Sequence, residues 1–178
     1  MFAALPEKKY AVIYADPPWF YKGSIQHNGK ESTGSAFVHY PTVPTPDLKK
    51  LPIPEISEKN CILFMWTSNP HLEEAIELGN SWGFKYKTIA FIWNKERPNP
   101  GYYTMSECEI CLVFCKGSIP KPRGARNIRQ FLSEKRREHS KKPDEVRKRI
   151  ELMFPMQGKI ELFAREKAEG WDCWGNEV

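Results

Sequence analysis

An α/β fold in three layers, with a mostly parallel central sheet, is predicted by three features of this 178-residue sequence. Short runs of β-forming residues alternate with stretches of helical periodicity, the early runs end in proline-bearing turns, and no internal repeat divides the chain. With 40% apolar, 28% charged and 13% aromatic residues there is material for one core and one domain, residues 1–178, and too little for two ordinary ones.

Residues 10–15 read as a buried first strand, stopped by Asp16-Pro17-Pro18, which neither a helix nor a central strand can continue. Residues 21–39 are polar and aperiodic, the signature of a long functional loop. A short helix is expected over residues 46–51 and a second buried strand over 61–66, ended by Thr67-Ser68-Asn69-Pro70. Pro70 suits a first helical turn; Leu72, Ala75, Ile76 and Gly79 carry helical spacing, and Gly83 is a stop signal. Residues 86–93 and 109–115 read as the third and fourth strands, separated by a Pro- and Gly-rich stretch at 97–101. Pro143 opens a helix with Asp144 and Glu145 in its first turn, matching the dipole, and Val146, Ile150 and Met153 as its inner stripe. Residues 159–163 form a last strand. The order is Rossmann-like, so ligands are expected at the carboxyl ends of the strands.

Several classes drop out. No apolar run approaches the roughly 20 residues of a bilayer span, and the apolar start before Glu7 is too short for a secretory signal, so a soluble cytoplasmic chain is expected. Five cysteines, an odd number, favour reduced thiols. Cys108 and Cys111 have a Cys-x-x-Cys spacing, but three residues apart on a strand they face opposite sides, so no metal site is expected. His27, His39, His71 and His139 lie in unrelated segments and read as surface or loop residues, with His27 and His39 placed to touch substrate. None of the eleven glycines forms a Gly-x-Gly pair, which removes the usual phosphate-cradling loops. The net charge of +5 is uneven: residues 121–149 hold twelve Lys or Arg against four acids. Such a segment fits a polyanion, nucleic acid by default, or a solvated helix face.

The chemistry concentrates at Asp16-Pro17-Pro18-Trp19, where the first strand meets its turn. Two prolines stiffen the backbone and remove two amide donors, leaving carbonyl oxygens beside the Asp16 carboxylate. A corner of acceptors wants a donor with two hydrogens, such as the exocyclic amine of adenine or cytosine. Trp19 would stack on the base, worth roughly 1–3 kcal/mol. An aromatic amine is a poor nucleophile; acceptors on both N–H bonds would localise its lone pair and stabilise the charge that develops on attack. The bland alternative is an ordinary Asp-Pro-Pro turn with a core tryptophan.

Together with Phe64-Met-Trp66, Ile92-Trp-Asn-Lys95, Glu109-Ile-Cys-Leu-Val113, Lys142-Pro-Asp-Glu145, Lys159-Ile-Glu-Leu-Phe-Ala-Arg165 and Trp174-Gly-Asn176, in that order, this tetrapeptide resembles the A-seventy-type (MT-A-like, DPPW-motif) adenine N6-methyltransferases. The resemblance runs from about residue 10 to 177 and implies a class I methyltransferase fold with S-adenosyl-L-methionine as donor. It implies Asp16, Pro17, Pro18 and Trp19 as the catalytic corner and Tyr40, Trp66, Lys95 and Glu109 on the substrate side, although Trp66 fits strand packing first. On the donor side it implies Asp16, Lys142 for the methionine carboxylate, Arg165 for the ribose, Asn176 for the adenosine, and Phe163 and Glu177 beside them. The expected reaction is methylation of adenine N6 in nucleic acid, DNA favoured over RNA, with segment 121–149 on the phosphates and the polar loop closing over a flipped base. The alternatives are an RNA enzyme, cytosine amino methylation, and a silent nucleic-acid-binding subunit of the same fold. A homodimer and a partner subunit are both left open.

Overall fold

A computed structural model describes residues 3–20, 42–101, 103–137 and 141–178. The loop expected at 21–39, with His27 and His39, lies outside the described residues, as do Tyr40 and His139.

Seven strands form one sheet in the order β5-β3-β4-β2-β1-β6-β7. They are β1 (Tyr10–Ala15), β2 (Ser57–Thr67), β3 (Lys85–Asn99), β4 (Ser106–Lys116), β5 (Phe131–Ser133), β6 (Lys159–Leu162) and β7 (Asp172–Trp174). β1 lies between β2 and β6, parallel to both, so it is buried along its length and reads as a continuous apolar run. β4 runs antiparallel to β2 and β3, while β5 pairs with β3 and β7 with β6 in parallel. The sheet is thus mostly parallel with one reversed strand, β4, whose amino end lies at the edge where the other strands end. Both sheet margins are three-residue strands, too short to template further pairing.

Alternation along the strands divides the core in two. Ile13, Leu63, Met65, Leu112, Phe114, Ile160 and Leu162 face one side. There they meet α1 (Thr45–Leu48), α2 (Ile53–Ile56) and α3 (Leu72–Ser81) through Leu48, Ile53, Ala75 and Leu78. Val12, Tyr14, Phe64, Trp66, Phe91 and Cys111 face the other side, against Val146, Ile150 and Phe154 in and just after α4 (Asp144–Met153). Helices on both faces complete the three-layer, Rossmann-like sandwich.

The differences from expectation are local. β3 runs through the Pro-rich stretch to Asn99, where it still pairs with Ser106 across a register shift. The helix expected at 46–51 is the single turn of α1, and α2, β5 and β7 carry too few residues for periodicity to reveal. A 3-10 turn at Asn69–His71 precedes α3, and Gly83, at φ +83°, terminates it as expected.

Candidate active site

Strand direction gathers the predicted residues at one edge of the sheet. Asp16 follows β1, Trp66 is the last but one residue of β2, Lys95 lies near the end of β3, Phe163 follows β6, and Glu109 comes from the start of the reversed β4. Lys142 stands two residues before α4. Its ammonium lies 3.1 Å from Asp16 Oδ1 and 3.0 Å from Glu109 Oε2, and Lys95 Nζ lies 3.4 Å from Glu109 Oε1. The result is an alternating row, Asp16, Lys142, Glu109, Lys95, with no net charge. Its side chains are only 20%, 13%, 19% and 9% exposed, so each charge depends on its neighbours. Burial alone would push the Glu109 carboxyl up, but the ammonium groups of Lys142 and Lys95 outweigh it and hold the pKa below its ordinary value. Burial likewise opposes the charge on Lys142, and Asp16 and Glu109 reverse that, raising its pKa.

The proline turn is more committed than its sequence suggests. Pro17 O accepts the Trp19 N–H at 2.8 Å and Pro18 O accepts the Val43 N–H at 2.9 Å. A carbonyl oxygen has two lone pairs, so among the described residues Pro17 O keeps one for a ligand, and Asp16 keeps Oδ2, Lys142 taking Oδ1. Trp19 is 5% exposed and not an open platform: one face stacks on His71 at 5.6 Å and its Nε1–H donates to the Trp66 carbonyl at 3.2 Å. The indole holds the turn against β2. Trp66 has no exposed surface and so offers no platform for a base either; its Nε1–H donates to the Tyr14 hydroxyl at 2.6 Å, and the Lys142 ammonium lies 5.7 Å from its ring. Burial pushes the Tyr14 phenol and the Cys111 thiol well up, keeping both neutral beside the charged row.

His71 corrects the expectation of a surface residue. It is 5% exposed, with Nδ1 2.7 Å from Ser68 Oγ and Nε2 3.2 Å from the Phe20 carbonyl. The signal for it was its place one residue after Pro70, at the carboxyl end of a buried strand.

On the neighbouring ends of β6 and β7, Phe163 takes φ +61°, a conformation rare for a bulky side chain, and packs edge-on against Trp174 at 5.6 Å. The Ala164 N–H donates to the Trp174 carbonyl at 3.0 Å, and a Cβ on Gly175 would lie 2.3 Å from the Ala164 oxygen. Only glycine fits that approach, which sets the backbones leading to Arg165 and to Asn176 and Glu177 side by side. Arg165 is half-buried, and Asn176 and Glu177 are exposed. Glu166, next along the chain, lies 2.7 Å from Lys141 Nζ.

Much of the basic segment is internally paired. Arg137 binds Glu134 and Asp144, Arg147 binds Glu161 on β6 at 2.9 Å, and Arg149 binds Glu145 at 3.0 Å. A simple solvated helix face does not describe it. Among the described residues no group of three or more His, Cys, Asp or Glu could hold a metal, and no helix is long and apolar enough to cross a membrane.

Comparison with known proteins identifies the family. The MT-A70 family model matches residues 10–177. The type II methyltransferase M.MunI of Mycoplasma sp is 50% identical over 190 residues, covering 100% of this chain and 82% of that protein. The putative N(6)-adenosine-methyltransferase MT-A70-like of Medicago truncatula is 29% identical over 96% of this chain. The N(6)-adenosine-methyltransferase catalytic subunit METTL3 of Homo sapiens is 28% identical over a similar share. The chain spans 26% and 28% of those two longer proteins. With the family match extending from the first strand to the penultimate residue, the chain belongs to the MT-A70 family and is a methyltransferase.

Proposed function

We propose that this chain methylates the exocyclic N6 amino group of adenine in DNA, with S-adenosyl-L-methionine as donor, in the cytoplasm. The observation that carries the reading is the pair of acceptor positions that the described residues leave open, Asp16 Oδ2 and the second lone pair of Pro17 O, on a stiff turn at the carboxyl edge. The 50% identity to a type II methyltransferase over the full chain favours DNA over RNA.

Asp16 and Pro17 accept the two N–H bonds of the amine, turning its lone pair out of conjugation with the ring. They also stabilise the positive charge that grows on nitrogen as its new bond forms. Asp16 Oδ2 is the atom through which the surplus proton then leaves. Lys142 fixes the other carboxylate oxygen, so the corner needs no reorganisation during attack. Trp19 and His71 act as positioning residues behind the turn.

The donor set fits S-adenosyl-L-methionine, which when bound supplies a methyl group on a sulfonium. Lys142 and the carboxylates of Asp16 and Glu109 match its zwitterionic end, Lys142 keeping Asp16 and releasing Glu109 to take the ligand's carboxylate. Arg165, Asn176, Phe163 and Glu177 stand at the adjoining strand ends for its adenosine.

The test is transfer of labelled methyl groups to mixed-sequence DNA and RNA, wild type beside Asp16→Ala, with digestion to identify the product. N6-methyladenine in DNA, lost by about two orders of magnitude in the variant, is expected. Methylcytosine alone, modified RNA alone, or binding without transfer would overturn the assignment.

A further inference from the structure

Next to the charged row the surface opens into a cleft of about 500 Å³ lined by Lys95, Glu96, Arg97, Lys135, Arg136 and Arg137. Five cationic side chains face a single carboxylate there, so the lining carries a strong positive charge.

Both walls are built. One is the end of β3, turned by Glu96 at φ +54°, whose N–H donates to Asn94 Oδ1 at 3.0 Å. That turn leaves Lys95 buried against Glu109 and Arg97 exposed. The other wall is the chain after β5, tied to β3 by the Glu134 N–H on the Asn94 carbonyl at 3.1 Å and the Trp93 Nε1–H on the Glu134 carbonyl at 2.7 Å. Ser133 Oγ donates to Glu96 Oε1 at 2.9 Å, engaging the one lining carboxylate with the opposite wall. Arg137 is held by Glu134 and Asp144, whereas Arg97 and Lys135 form no ion pair among the described residues.

Lys95 belongs to both the cleft and the charged row, so the cleft begins two side chains, Glu109 and Lys142, from Asp16. A strand whose base occupied the Asp16 corner would pass its adjoining backbone here. We propose that this cleft is a subsite for the backbone phosphates flanking the target adenine in DNA, with Arg97 and Lys135 as its principal contacts. The inference rests on the DNA reading above and divides the basic residues functionally: those of α4 serve mainly internal ion pairs, while the β3 end and residues 135–136 meet the polyanion.

The experiment measures affinity for a fluorescent mixed-sequence duplex against salt concentration, together with methyl transfer to the same DNA, for wild type, the double variant Arg97→Gln/Lys135→Gln, its charge-restoring counterpart Arg97→Lys/Lys135→Arg, and Lys87→Gln. Lys87 is exposed near the opposite end of β3 and serves as a charge control. Loss of two phosphate contacts should flatten the log–log salt slope by about 2 and raise KM for DNA more than it lowers kcat, with the slope restored in the Lys/Arg swap. An unchanged slope, or an equal loss in Lys87→Gln, overturns the subsite. A wild type that transfers no methyl group, while the double variant still flattens its slope, overturns the enzyme reading and leaves the phosphate cleft standing.

Discussion

Replacing Lys142 with Met would leave Asp16 and Glu109 facing one another without the cation between them. Removing one partner of a buried ion pair costs about 3–5 kcal/mol. Asp16 and Glu109 each retain about a fifth of their side-chain exposure, which places the loss near 3 kcal/mol, the low end. In a chain of this length that lowers the melting temperature by roughly 6–12 °C. The pH dependence follows from Glu109. In the wild type its lowered pKa means that its charge contributes stability above the ordinary value of 4.5, lost as pH falls through the folded value. Without Lys142, burial and the neighbouring Asp16 carboxylate favour the protonated form. The variant's penalty is then full near pH 7 and relieved as Glu109 takes up a proton on acidification. Urea titrations followed by tryptophan fluorescence at pH 7 and pH 5 should show the wild type–variant gap narrowing at the lower pH, and adding Glu109→Gln to Lys142→Met should recover at least half of the loss at pH 7. A gap under about 1 kcal/mol, or no recovery in the double variant, would refute the idea that the row is held together by alternation of charge.

Glu109→Gln in the wild-type background should flatten the acid limb of stability below pH 4.5, because the carboxylate whose contribution is lost there on protonation is gone; a pH series of thermal melts checks this. Trp19→Phe keeps the stacked ring but removes the donor to the Trp66 carbonyl, costing about 1–2 kcal/mol by denaturation and a larger share of kcat than of donor affinity. Gly175→Ala places a methyl 2.3 Å from a backbone oxygen, which cannot rotate aside; calorimetry should show weakened binding of S-adenosyl-L-methionine and a stability loss of about 1–3 kcal/mol.

The sequence reveals elements that generate their own periodic signal and hides those defined by a neighbour. β1 with its proline stop, the inner stripe of α4 and the glycine that ends α3 are local statements, and the structure follows them. β5 and β7 are strands only because β3 and β6 lend them a ladder; three residues cannot alternate visibly. The extension of β3 through Pro98 defies composition because β4 pairs with it again at Asn99, beyond the irregular register. At the site, the resemblance supplies Lys142 and Glu109 as separate motif members, but their contact spans the sheet and has no spacing to betray it. His71 has a local hint in its place at the carboxyl end of a buried strand, but its partners, Trp19 and Phe20, are far away in the chain. The aromatic residues of the site turn out to brace it from behind, since a tryptophan that closes the core and one that receives a ligand have the same composition.

The neutrality of the four-member row separates how the two proposed ligands answer to ionic strength. The zwitterionic methionine end arriving at Lys142 swaps one counter-charge for another and brings only the single charge of the sulfonium, so dissolved ions have little to compete with. A polyanion settling over the adjoining cations must displace its own condensed atmosphere, and its hold weakens with every increment of salt. Donor loading and DNA retention can thus be adjusted independently by the medium, through side chains that share a single lysine.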